Sequence, residues 1–340
     1  MKDSGHQIVL AARPQGAPRP SDFRLEEVAI PAPGEGEVLL AVRYLSLDPY
    51  MRGRMDDRKS YSAPTPIGGV MEGDVVAQVV LSRNAAYEIG DHVVARLGWR
   101  SHAVSDGTGL IRLDERFSPV STALGVLGMP GLTAYAGLLS IGKPKLGETV
   151  VVAAASGPVG SLVGQIAKIK GARAVGIAGG ASKCAYVRDE LGFDEVVDHR
   201  SPNFAKELAA ACPRGVDVYF ELVGGAVWQA VFPLLNEFAR VPVCGLIAQY
   251  NAGGLVNASD RLPSTMREIL SRSLTLRGFI VREFGDQRQM FLDEVSGWIA
   301  DGRVRFREDV VNGLPNAPEA LIGLLEGRNF GKVVVEVGKE

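Results

Sequence analysis

From its start to about Leu127 the chain consists of short β-branched runs broken by Pro and Gly. Residues 38–47, 75–81 and 92–95 are such runs, and Pro31, Pro33, Gly34, Gly36, Pro64, Pro66, Gly68 and Gly69 interrupt them. This texture predicts a β-rich, loop-rich barrel or sandwich. From about Gly128 the pattern changes to strands alternating with helices. Residues 149–154 form a continuous apolar run suited to a strand covered on both faces. A helix follows from Pro158, a residue favoured at the first helical position, with Val159, Leu162, Val163 and Ile166 on one face. Residues 172–178 read as a second strand, and Ser182 as the cap of a helix that ends at Gly192. Strands are predicted again at 196–197, 216–222, 239–244 and 274–280, and a last helix over 286–300 aligns Phe291, Val295 and Trp298. Six strands alternating with helices predict an α/β fold with a doubly wound parallel sheet. Residues 310–337 return to short strands. The pattern therefore predicts an α/β domain over 128–305 and a β-rich domain over 1–127 that is completed by 306–340.

Composition narrows the function. The chain has 340 residues, 37 basic and 39 acidic, and a net charge of −2. That balance lacks the basic footprint of nucleic-acid and anionic-membrane binders. The longest apolar runs fall far short of the roughly 18 residues of a membrane span. The N-terminal run at 8–12 is too brief for a secretory signal, so a cytoplasmic location is expected. Cys184, Cys212 and Cys244 lie far apart in the chain, and His6, His92, His102 and His199 are scattered. No metal-ligand spacing results, and the cysteines read as small buried hydrophobes. The 41 glycines exceed the roughly 24 that average usage would give. Their positions matter more than their number.

The first strand of the α/β half runs into Ala155-Ser156-Gly157-Pro158-Val159-Gly160. Such a turn lets backbone approach a pyrophosphate whose charge rests on the helix N-terminus. Ala155 holds the first glycine position, so the fingerprint is imperfect, but a strand before it and an amphipathic helix after it are the setting the motif requires. Gly157, Pro158, Val159 and Gly160 are the expected cofactor contacts. A chain using NAD would carry an acidic residue about twenty positions on. Here Gly179-Gly180-Ala181-Ser182-Lys183 stands instead, leaving no carboxylate to repel a 2′-phosphate and placing an ammonium to pair with it. The expected cofactor is NADPH.

Five further stretches add to this reading. They are Leu45-Ser46-Leu47-Asp48-Pro49-Tyr50-Met51-Arg52, Gly128-Met129-Pro130-Gly131-Leu132-Thr133-Ala134-Tyr135, the 154–160 loop, Cys244-Gly245-Leu246-Ile247-Ala248-Gln249-Tyr250-Asn251 and Gly278-Phe279-Ile280-Val281. Together, over nearly the whole chain, they resemble the zinc-independent medium-chain dehydrogenase/reductases, in the branch of leukotriene/prostaglandin reductases, alkenal double-bond reductases and curcumin reductase. The resemblance implies a GroES-like catalytic domain from both chain ends, a Rossmann domain between them, no metal and a homodimer. It also implies hydride transfer from NADPH to the activated C=C bond of an enone or alkenal. Carried over by residue, it implies Lys183 at the 2′-phosphate, Cys244, Gly245 and Tyr250 with Phe279, Ile280 and Val281 around the nicotinamide half, and Asn329 as a late cofactor contact. Two positions depart from the pattern. His199 stands where the family usually has a tyrosine, and Leu222 replaces a customary asparagine in Glu221-Leu222-Val223-Gly224-Gly225. Leucine donates no hydrogen bond. Histidine still does, and gains charge below about pH 6.5, so NADPH binding is expected to strengthen as pH falls through neutrality.

Hydride addition to the β-carbon of an enone puts negative charge on the carbonyl oxygen, and a donor near that oxygen lowers the barrier. Tyr250, just beyond the fifth strand's C-terminal end, is the expected catalytic donor. Tyr50, in the Asp-Pro-Tyr-Met motif, and Tyr61 are expected on the substrate wall. Tyr61 follows a charged loop, 52–59, which reads as a solvated turn where Asp56 and Asp57 offset Arg52, Arg54, Arg58 and Lys59, or as a lid over a polar substrate tail. Rival readings are a zinc-free quinone reductase and a non-catalytic NADPH-binding redox sensor. An S-adenosylmethionine methyltransferase is disfavoured, since it would usually need an acid after the second strand.

Overall fold

In the computed structural model, which describes residues 4–58, 60–251 and 262–338, the chain divides into two units, Met1–Gly125 with Glu308–Glu340, and Val126–Arg307. The N-terminal runs become β1 (Ser4–Leu10), β2 (Phe23–Ala29), β3 (Val38–Ser46), β4 (Val75–Ser82), β5 (His92–Ala95), β6 (His102–Ser105) and β7 (Ile111–Arg112). β1 and β2 pair antiparallel. Val38, Leu40, Val42 and Leu45 of β3 point inward with Val75, Ala77 and Val79 of β4 and with Trp99. A short helix, α1 (Tyr50–Arg54), follows β3. Its arginines overturn the expectation of a solvated turn. Arg52 and Arg54 are buried. Arg52 donates to the Asp56 carboxylate at 2.7 Å and to the Gly16 carbonyl at 2.8 Å, and Arg54 donates to the Ser62 carbonyl at 3.2 Å. Fixed acceptors at these positions allow the guanidinium groups to leave water. Lys59 lies outside the described residues.

The second unit begins with α2 (Met129–Ala136) and alternates β8 (Thr149–Val152), α3 (Pro158–Ile169), β9 (Arg173–Ala178), α4 (Ala181–Ala185), β10 (Glu195–Asp198), α5 (Phe204–Ala211), β11 (Val216–Phe220), α6 (Gly225–Val231), β12 (Leu235–Val243), α7 (Leu262–Ser271), β13 (Thr275–Gly278) and α8 (Arg288–Ala300). The sheet is parallel, in the order β10-β9-β8-β11-β12-β13. This is the expected doubly wound Rossmann arrangement. Val151 of β8 packs with Phe204 and Leu208 of α5 and with Val227 and Val231 of α6. By the pleat, Val150 and Val152 face the other way. The helix after β9 starts at Ala181, with Gly180 at its N-cap position. Ser182 is therefore inside the first turn and is not the expected cap, because Gly180, at φ 91°, already turns the chain.

The chain then returns to the first unit with β14 (Glu308–Asn312), α9 (Ala317–Leu325) and β15 (Lys332–Glu336). Only strands were expected here. The helix arises because β14 and β15 pair parallel, which requires a crossover between them. β15 pairs antiparallel with β3, extending a sheet in the order β14-β15-β3-β4-β5-β7. Lys332, buried at 2% exposure, donates to the Leu47 carbonyl at 2.7 Å and to the Asp48 carboxylate at 2.8 Å, while Ser46 donates to the same carboxylate. That buried ion pair ties the last strand to the third. Among the described residues no helix is long and apolar enough to cross a membrane.

Tight backbone approach shapes the second unit. A Cβ on Gly164 of α3 would lie 1.8 Å from the Phe193 ring, and one on Gly176 of β9 would meet Val187, Ala155 and Phe193 within 3.0 Å. Phe193 therefore wedges against the helix where only glycine admits it. Gly164→Ala is expected to cost about 1–3 kcal/mol by overpacking, and to lower the melting temperature by several degrees. The double variant Gly164→Ala/Phe193→Leu should recover most of the loss in a calorimetric cycle. Equal losses in both variants would show that Phe193 is not the obstacle.

Candidate active site

The turn between β8 and α3 has a local cause. Ala154 adopts φ 49°, in the left-handed region, and accepts the Gly157 N–H at 2.9 Å. This reverses the chain so that α3 starts at Pro158, with Gly157 at the N-cap making no side-chain cap. A Cβ on Gly157 would sit 3.2 Å from the Ala154 oxygen, and one on Gly160 only 2.4 Å from it. Gly157, Pro158 and Val159 are partly exposed, and Gly160 is buried. The first-turn N–H groups of a twelve-residue helix have no acceptor within it, and the helix dipole gives them partial positive charge. The turn offers backbone donors and no obstructing side chains, which suits a phosphate anion.

β9 and β10 end side by side, with Ala178 opposite Asp198, and Gly179-Gly180 and His199-Arg200 follow directly. A Cβ on Gly179 would lie 2.6 Å from His199 Nε2 and 3.1 Å from Arg200 Nε; one on Gly180 would lie 3.3 Å from Arg200. The imidazole and guanidinium therefore rest against the glycine pair, with Lys183 near enough to affect His199. Partial burial, then the Arg200 and Lys183 charges, hold His199 below its ordinary pKa of 6.5 against the opposing pull of Asp198. The Asp198 carboxylate is engaged by the N–H groups of Gly180 at 3.0 Å and Arg200 at 2.9 Å. Partial desolvation opposes its charge, but these donors prevail and hold its pKa below the ordinary carboxylate value. Arg200 escaped the sequence reading because no pattern along the chain shows that residues after β10 lie against those after β9.

The turns after β11 and β12 are laced together. Cys244 and Gly245 donate their N–H groups to the Glu221 carbonyl at 3.0 and 3.2 Å, Ile247 to the Leu222 carbonyl at 3.3 Å, and Ala248 to the Val223 carbonyl at 3.0 Å. Leu222 thus contributes through its backbone, whatever its side chain lacks. Glu221, 1% exposed, accepts with Oε1 from the Tyr219 hydroxyl at 3.0 Å, Val223 N–H at 2.7 Å and Gly224 N–H at 2.8 Å. Burial raises its pKa against those three donors. It is a positioning residue the sequence reading passed over, although its place directly after a buried strand was a signal. The Tyr250 hydroxyl lies over Gly245, 3.3 Å from where a Cβ would stand. Desolvation, and after it the Glu221 charge, push the Cys244 thiol up to about 12.

Phe279 is buried, its ring edge-on to Phe220 at 6.2 Å and Phe284 at 5.9 Å. Its side chain is core, so what it presents outward is backbone. Ile280 and Val281 are partly exposed, and Ile280 N–H is held by Glu283 at 2.7 Å. In the other unit, the Arg54 guanidinium lies over both expected substrate-wall rings, 4.4 Å from Tyr61 and 5.7 Å from Tyr50. Asn329 also belongs to that unit, in the turn before β15, where its side chain donates to the Gly331 carbonyl at 2.8 Å. Among the described residues no group of three or more His, Cys, Asp or Glu gathers as metal ligands.

A doubly wound sheet with a glycine turn before α3 and cations at the end of the next strand defines a dinucleotide-binding protein of oxidoreductase type. Residues 6–113 match the family described as "N-terminal domain of oxidoreductase", and 158–297 that described as "Zinc-binding dehydrogenase". The chain is 52% identical over 337 residues to the NADPH-dependent curcumin reductase of Escherichia coli K12, covering 99% of this chain and 98% of the relative. It is 37% identical over 346 residues to the NADP(+)-dependent 2-alkenal reductase of Nicotiana tabacum, covering 99% and 98%. The crystal structure of CurA in complex with NADPH from Vibrio vulnificus aligns with a TM-score of 0.96 at 53% identity, over 98% of this chain and 100% of that one. The chain belongs to the zinc-independent medium-chain dehydrogenase/reductases, in the branch of curcumin, prostaglandin and alkenal reductases. It is an NADPH-dependent oxidoreductase.

Two predictions follow from this geometry. Glu221→Ala leaves two buried N–H groups without their acceptor, so a loss of about 2–4 kcal/mol is expected, with weaker NADPH binding in titration calorimetry. An unchanged melting temperature would show that Glu221 does not hold the turn. For His199, a bound phosphate favours the imidazolium, so binding raises a pKa that is depressed in the free protein. NADPH affinity should then gain a His199 contribution as pH falls through the raised pKa of the complex, and level off below the lowered pKa of the free protein. The difference between wild type and His199→Gln isolates this from the phosphate's own titration; identical Kd profiles from pH 5.5 to 8 would overturn it.

Proposed function

We propose that the protein reduces the C=C bond of α,β-unsaturated aldehydes and ketones, with Tyr250 as the donor to the substrate carbonyl. On this reading Gly157, Pro158, Val159 and Gly160 hold the pyrophosphate, and Lys183 and His199 the 2′-phosphate. Cys244, Gly245 and Tyr250, with the backbone of Phe279, Ile280 and Val281, flank the nicotinamide half, and Asn329 adds a cofactor contact. NADPH, when bound, supplies the hydride that adds to the β-carbon. The substrate's α-carbon takes up a proton from solvent, so the π bond of the C=C is replaced by two C–H bonds, the C–C single bond stays, and NADPH leaves as NADP+.

The observation that carries the reading is the Tyr250 hydroxyl over Gly245, at the C-terminal edge of the sheet where doubly wound folds bind ligands. A phenol held there by the laced turns donates to an oxygen as charge develops on it. Cys244 supports the same chemistry. Thiolates add to the β-carbon of enones, and a thiol pushed up to about 12 stays protonated beside such a substrate. Tyr50 and Tyr61, steadied by Arg54, form the substrate wall.

The test follows NADPH absorbance with a panel of alkenals, enones and quinones. Oxidation with alkenals and enones is expected; turnover of quinones alone would favour quinone reduction, and none at all a binding protein. Tyr250→Phe should lower kcat on a good enone by about 100-fold with little change in NADPH Kd. Full kcat in that variant would remove Tyr250 from catalysis.

A further inference from the structure

We propose that Arg200 is the residue that chiefly decides for NADPH over NADH, by taking the 2′-phosphate as a fork of two N–H donors; this rests on the reading that Lys183 and His199 mark that subsite. In chains that use NAD, an acid at the end of the second strand of the fold holds the ribose hydroxyl. Here Gly179-Gly180 follows β9, and the space a side chain would take is filled by His199 and Arg200, which follow the neighbouring β10. Arg200 Nε lies 3.1 Å and a terminal nitrogen 3.3 Å from the Cβ positions of the two glycines. The guanidinium thus stands beside the place where the discriminating carboxylate would be, with opposite charge.

The Arg200 backbone N–H bonds to Asp198, but among the described residues its exposed guanidinium donates no hydrogen bond and forms no ion pair. An acid two residues away would ordinarily neutralise it. Asp198 instead turns its carboxylate to the N–H groups of Gly180 and Arg200, which leaves the guanidinium to face outward. Lys183, His199 and Arg200 therefore converge, and the first and last both depress the imidazole's proton affinity. Two cations and an imidazole N–H gathered over a glycine floor, with the nearby carboxylate otherwise engaged, fit a dianion. Arginine suits it best, since its planar fork matches phosphate oxygens bidentately while lysine acts as a point charge.

The experiment measures Kd for NADPH and NADH by fluorescence titration at pH 7.5 in wild type, Arg200→Gln, Arg200→Lys and Lys183→Ala. Expected for Arg200→Gln is an NADPH affinity at least tenfold weaker with NADH within twofold of wild type, and an equally weakened competition by 2′,5′-ADP. Arg200→Lys should recover part of the loss. Equal weakening of NADPH and NADH in Arg200→Gln would overturn the proposal, as it would mean a structural role. An unchanged NADPH Kd in Arg200→Gln with a tenfold loss in Lys183→Ala would overturn it while leaving the subsite standing. Unchanged NADPH binding in both variants would overturn the proposal and the subsite together.

Discussion

The close approach of α3 to the end of β8 is the constraint on which the cofactor unit rests. Gly160 places helix backbone where a Cβ would be 2.4 Å from the Ala154 oxygen, and one turn later Gly164 admits the Phe193 ring. Without that approach the helix would start farther from the strand, and its N-terminal N–H groups would no longer converge at the sheet edge. Ala154 accepts a left-handed conformation to make the reversal, a cost that the 2.9 Å bond from Gly157 helps to offset. The strained residue lies beside the glycine turn, so the strain sets where α3 begins.

The second half of the site depends on a different device. Two loops after adjacent strands are joined backbone to backbone, and one buried carboxylate, Glu221, orders the first of them. Because the lacing uses main-chain groups, replacement of the customary asparagine by Leu222 leaves it intact, with the Leu222 carbonyl still accepting from Ile247. The loops then carry Gly245 and Tyr250 as a unit, so the phenol's position is inherited from the turn geometry. Arginine plays a comparable part in the other unit, where Arg54 supports two tyrosine rings and Lys332 ties the last strand to Asp48.

Much of this was legible along the chain. The continuous apolar run at β8 and the start of α3 at Pro158 follow from local patterning, as does the glycine turn between them. The alternation of strands and helices implied the parallel sheet, and the absence of an acid after β9 implied NADPH. Other features were not legible, because they depend on residues remote in sequence. Arg52 and Arg54 read as solvated charges, yet each meets carbonyls supplied by distant or looping segments. Helix α9 was missed because its apolar residues resemble those of the strands around it. Phe279, a cofactor wall by motif, has its ring in the core since Phe220, Phe284 and the bare face of Gly137 surround it.

The sequence by itself determined the fold class, the nucleotide turn and the cofactor's extra phosphate, since those are written in periodicity, glycine placement and the charge that is absent after one strand. Tertiary structure decided how the cations and donors are arranged. Only the pairing of β9 with β10 brings Arg200 over Gly179 and Gly180, and only the lacing of two loops makes Glu221 a support for Tyr250. The physical reason is that electrostatic and hydrogen-bonding partners act over a few ångströms of space, while pattern along a chain reports only neighbours within a turn or a strand.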